Sequence, residues 1–159
     1  MILAEAYYFS KKYPICEELL WKLLDINPDC REYLSRLLSV HVDQGKDIGS
    51  FYDKIKEASL LAAIELLPLV NFEVFKSKLP STFSEIMNRE SPAAFQLFKE
   101  SLKIETRKDL IWECLQTMDK TKVSVISFKI NFLSYTKAND LALKEIDYAI
   151  QNHPECIDL

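Results

Sequence analysis

Two glycines, Gly45 and Gly49, are all that this chain of 159 residues contains. A β-sandwich needs glycine in its tight turns, and a nucleotide-binding α/β domain needs it where backbone closes round phosphate. Both architectures are therefore disfavoured. The length suffices for one domain with a core or for a run of helical hairpins. Apolar residues at 48% and charged residues at 28% describe a globular, soluble chain. Net charge is −4 with both signs mixed along the sequence. That leaves no electrostatic footprint for nucleic acid unless folding assembles a local patch.

The apolar residues recur at helical spacing. Ile2 to Lys12 reads as a helix without a cap, broken at Tyr13-Pro14, where Pro14 suits the first turn of the next helix. Residues 15–26 place Cys16, Leu19, Leu20, Leu23 and Leu24 on one face. Asn27-Pro28 ends that helix, and Asp29 is the expected cap of the one that follows. Arg31 to Gln44 carries Tyr33, Leu34, Leu37, Leu38 and His41 on an apolar face, and Gly45 supplies a left-handed stop. From Asp47 the pattern continues through Phe51, Ile55 and Ala58. Leu60 to Leu67 is apolar nearly all round, as an interior helix is, and Leu67-Pro68-Leu69 closes it.

Asn71 is positioned to cap a helix through Phe72 and Phe75 that Pro80 interrupts or kinks. Phe83, Ile86 and Met87 resume it. Ser91-Pro92 is a helix-start signal ahead of Phe95, Phe98 and Leu102. Thr106 with Asp109 resembles a capping box for a helix bearing Leu110, Ile111, Cys114, Leu115 and Met118. Val123 to Phe132 partly alternates as a strand would. Val123, Ile126, Ile130 and Leu133 also fit one helical face, and a lone strand would have nothing to pair with, so the segment reads as helix. The result is about nine helices in antiparallel hairpins, with no linker or low-complexity tract between them.

Little in the chain suggests chemistry. His41 and His153 are the only histidines. The first lies on an apolar face, where packing is its expected role, and the second ends a helix whose dipole it suits. Cys16, Cys30, Cys114 and Cys156 form no metal-spaced cluster and read as reduced, mostly buried thiols. No serine sits in a G-x-S-x-G elbow. Glu17-Glu18 and Asp29/Glu32 read as solvated helix starts, and the doublets Lys76/Lys78 and Arg107/Lys108 as solvated faces or, alternatively, contacts to an acidic partner. Tyr7, Tyr8, Phe9, Trp21, Phe72, Phe75, Phe95, Phe98 and Trp112 read as core fillers, some of them alternatively lining a groove for a partner helix. No catalytic, cofactor-binding or metal residue is assigned. Leu60 to Val70, with Glu65 and Pro68, is too short to span a bilayer, and Met1 to Ala6 lacks the features of a signal peptide.

Near the C-terminus Ala142, Ile146, Ala149 and Pro154 fall at spacings of four, three and five. This phasing resembles the second helix of a tetratricopeptide (TPR) repeat: small, large, small, then a proline opening the next repeat. Small side chains let antiparallel helices approach, and the large one fills the groove between them. The resemblance implies an all-α fold, antiparallel hairpins stacked as a TPR-like right-handed superhelix over residues 1–159.

The order of elements also resembles the middle of the large auxiliary subunit of the N-terminal acetyltransferase A complex, over nearly the whole chain. Its most specific piece is Leu67-Pro68-Leu69 with Asn71-Phe72 and Phe75-Lys76. Ser91-Pro92-Ala93-Ala94-Phe95 and Leu141-Ala142-Leu143-Lys144-Glu145-Ile146, followed by Ala149-Ile150, Pro154 and Ile157-Asp158-Leu159, follow in matching order. Departures are Lys137 where that family often has a turn glycine, Pro80 inside a helix normally continuous, and a lower basic content. The resemblance implies a non-catalytic, cytoplasmic scaffold that wraps a GNAT-fold catalytic subunit and docks near the ribosomal exit tunnel. Acetyl-coenzyme A then belongs to the partner, and the basic residues with which some members hold inositol hexakisphosphate are not matched here. It also implies a segment of a longer superhelix, with hairpin faces at its ends that neighbouring repeats would cover. The alternatives are a generic TPR adaptor gripping a peptide or partner helix in its concave groove, and a small all-helical enzyme.

Overall fold

A computed structural model describes residues 1–89 and 93–153, and among them every regular element is a helix. In chain order these are α1 (Ile2–Phe9), α2 (Tyr13–Ile26), α3 (Arg31–Asp43), α4 (Ile48–Ala58) and α5 (Leu60–Leu66). They are followed by α6 (Phe72–Asn88), α7 (Ala94–Leu102), α8 (Glu105–Gln116), α9 (Val123–Tyr135) and α10 (Asn139–Asn152). The helices group into two compact units, Met1–Lys78 and Leu79–Leu159. The division falls inside α6, where no change of composition marks it.

In the first unit α1 packs on α2, α2 on α3, and α3 on both α4 and α5. Pro14 stands in the first turn of α2, as its fixed φ favours. The first hairpin is close-packed at Cys16, fully buried, whose thiol donates to the Ala4 carbonyl of α1 at 3.2 Å. Asp43 at the end of α3 accepts from the hydroxyls of Tyr8 (2.8 Å) and Tyr13 (3.3 Å). Leu20, Leu34, Leu37, Tyr52, Ile64 and Leu66 form the centre of the core. Each such side chain contributes about 1.5–3 kcal/mol on burial.

Several local expectations are corrected. Asp29 does not cap α3; the N-cap is Cys30, with no side-chain bond to the free amides. Ala58 is exposed at the end of α4. There Ser59 turns the chain with an extended backbone, and its Oγ accepts from Ala62 N at 3.2 Å, so α4 and α5 are separate helices. Asp47 and Asn71 do cap: Asp47 accepts from the amides of Gly49 and Ser50, and Asn71 from that of Val74. Pro80 does not interrupt α6, which runs unbroken from Phe72 to Asn88. Pro80 itself is exposed, while Phe75, Leu79, Phe83 and Met87 hold one face buried on either side of it. That burial outweighs the missing amide.

In the second unit α7 packs on α8 and α9, and α9 on α10. Its core is a ring cluster. Phe128 of α9 lies edge-on to Phe83 (5.0 Å), Phe95 (5.5 Å) and Phe98 (6.1 Å), the geometry in which ring edges meet ring faces. Ser124 adds a buried hydrogen bond from its hydroxyl to the Met87 carbonyl at 2.9 Å. The ambiguous segment from Val123 is helical, as expected. The Thr106/Asp109 capping box does not form: α8 starts earlier, with Ile104 as an N-cap lacking a side-chain bond. Ser91 and Pro92 lie outside the described residues, as do Pro154, Cys156 and the Ile157-Asp158-Leu159 run.

Candidate functional site

One place in each unit brings polar side chains from separate elements together against apolar ones. In the first, α2 contributes Glu17 and Trp21, α3 contributes His41, and Lys46 comes from the turn after α3. The Glu17 carboxylate accepts from Lys46 Nζ at 2.6 Å, and its other oxygen lies 3.2 Å from His41 Nε2. That approach is off the N–H axis, so neither ring nitrogen of His41 makes a well-directed hydrogen bond. His41 is only 9% exposed and lies against the Phe51 ring with centroids 4.3 Å apart. Lys54 of α4 sits over the Trp21 ring at 4.2 Å, a cation–π arrangement.

Burial is the main influence on His41 and pushes its pKa down. Lys46 and Lys54 push the same way, and Glu17 opposes them. Burial pushes Glu17 up, but the Lys46 hydrogen bond, the His41 and Lys46 charges and Trp21 outweigh it, leaving its pKa below the ordinary value. The imidazole is therefore neutral near pH 7, and the charges here are the ion pair of the Glu17 carboxylate with Lys46, beside which His41 packs as a neutral ring. This matches the packing role expected of His41. It corrects the reading of Glu17 as solvated, whereas Glu18 does face solvent and pairs with Lys22.

The second place is a cleft of about 250 Å³ between α8, α9 and α10. Its floor is Leu115, Val125 and Ile126, each 2% exposed. Its walls carry Lys129 and Glu145, joined at 2.5 Å and both about three-quarters buried. Gln116, Lys120 and Tyr148 complete the rim. Sequence reasoning missed the cleft: its residues come from three helices, and no spacing along one helix brings them together.

The remaining candidates scatter. His153 is the C-cap of α10, where the dipole argument put it. Cys16 is buried, but Cys30 and Cys114 are only half-buried; all three are free thiols. Burial pushes Cys16 and Cys114 up, away from the reactive thiolate. Arg107 is buried, not solvated, and Lys78 pairs with Asp53 at 2.5 Å. Phe75, Phe95 and Phe98 are core, while Phe9 is 73% and Phe72 is 40% exposed. Among the described residues no group of His, Cys, Asp and Glu could hold a metal ion, and no helix is long and apolar enough to cross a membrane. No family model, curated protein or solved structure matches the chain.

Proposed function

We propose that this chain is a binding scaffold made of helical hairpins stacked as a TPR-like right-handed superhelix. The observation that carries this reading is the division of labour on α10. Its buried residues are the small ones, Ala142 and Ala149, turned to its own hairpin, while Leu141, Leu143 and Ile150 are each more than half exposed. A helix that spends small residues on its hairpin and keeps large apolar ones outward has a surface suited to being covered.

On the order of motifs, the partner is the GNAT-fold catalytic subunit of an N-terminal acetyltransferase A complex, in the cytoplasm and near the ribosome. The scaffold would work by fixing geometry, since a small misplacement of catalytic groups is costly to rate. Co-purification of the full-length protein with its acetyltransferases tests this, and recovery of none would remove the partner while leaving the fold. Acetyl transfer assayed with this chain alone should stay at background.

A further inference from the structure

The cleft between α8, α9 and α10 has a definite chemistry. At about 250 Å³ it is smaller than the usual pocket for a cofactor or drug-sized ligand, and it suits one large side chain. The floor of Leu115, Val125 and Ile126 is apolar, so the side chain it takes is aliphatic. The charges around it do not cancel: Lys129 is matched by Glu145, but Lys120 stands on the rim without a partner among the described residues. Tyr148, 42% exposed, brings a phenol with no side-chain hydrogen bond among the described residues. One ammonium and one hydroxyl thus flank an apolar floor, in a chain whose net charge is −4.

We infer that this cleft docks a segment of a partner protein in which a leucine-sized side chain is flanked by a carboxylate. The aliphatic group enters above Val125 and Ile126, and the carboxylate meets Lys120 and the Tyr148 hydroxyl. Glu145 keeps Lys129 neutralised and repels an acid placed too deep, which fixes the order of apolar anchor inside and charge outside. This names a surface for the scaffold proposed above and rests on that binding reading.

The test is a titration of the labelled chain, followed by NMR, with a short acetylated peptide amide holding one leucine between two glutamates. Its controls are the same peptide with glutamines, and hexanoate. Saturable shifts confined to Leu115, Val125, Ile126 and Tyr148 are expected, with the acidic peptide binding about threefold tighter than the glutamine one at low salt. Lys120→Glu should erase or invert that preference while the rest of the spectrum stays native. Equal affinity for both peptides, shifts elsewhere, no shifts at millimolar peptide, or hexanoate binding as tightly as the peptide would each overturn the inference. A Lys120→Glu full-length protein that still co-purifies with an acetyltransferase would leave the scaffold standing and free this cleft of that role. Loss of co-purification by the unaltered protein would instead count against the scaffold's assigned partner, whatever the titration gives.

Discussion

Lys137 holds the same left-handed turn as Gly45. Their φ angles are 62° and 64°, and in each turn the next amide reaches the carbonyl five residues back: Ala138 to Leu133 at 2.8 Å, Lys46 to His41 at 2.9 Å. Lys11, at φ 56°, does the same between α1 and α2, with Lys12 bonded to Tyr7. The geometry is that of a helix closed by a left-handed residue, which glycine adopts freely and a residue with a Cβ does not.

Lys137→Gly should therefore stabilise the chain by about 1 kcal/mol, and Gly45→Ala should destabilise it by a similar amount. A Cβ at Gly45 would meet nothing within 4 Å, so its cost is that of the backbone alone. Urea midpoints of the two variants should move in opposite directions. Movement the same way would show that the two turns are not equivalent.

His41 makes stability depend on pH. Its folded pKa lies below the ordinary 6.5, so between those values the unfolded chain binds more protons and stability rises with pH. The contribution is complete above about pH 6.5 and is lost as pH falls through the folded value. The facing charges are Glu17, Lys46 and Lys54. Glu17, lowered from 4.5, loses its contribution at more acid pH still, as its folded carboxyl protonates. Unfolding midpoints at pH 7.5 and 5.5 should differ in the parent and differ less in His41→Gln; parallel profiles would reject the assignment.

Phe128 touches three other rings, so Phe128→Ala should cost about 3–5 kcal/mol, and Phe128→Leu clearly less. Against a total stability of about 5–15 kcal/mol for a domain, the alanine variant approaches loss of the second unit. Denaturation followed by Trp112, stacked on Phe132 of the same unit at 4.8 Å, reports this directly.

Pro80 is exposed inside α6, where it withholds an amide from the carbonyl one turn earlier and crowds it. Pro80→Ala should raise stability by about 1–3 kcal/mol. A lowered thermal midpoint would mean that the surrounding packing has been shaped to the proline.

The helices themselves were written in the sequence. Apolar residues at helical spacing, Gly45, Asn71 and Pro14 mark elements through local backbone chemistry, which needs no knowledge of what packs where. Local signals failed where burial competed with them. Pro80 reads as an interruption or a kink, and of these the interruption is absent: α6 runs through it because Phe75, Leu79, Phe83 and Met87 are buried on both sides. Thr106 and Asp109 have the spacing of a capping box, but α8 is capped at Ile104, two residues earlier than they require. The polar sites were hidden for a different reason. Glu17 meets His41 and Lys46, and Lys129 meets Glu145 beside Lys120, only after separate helices have packed. A chain position records which side chain is present and which helical face it shares; its electrostatic partner and the cleft it borders are set by neighbours from elsewhere in the fold.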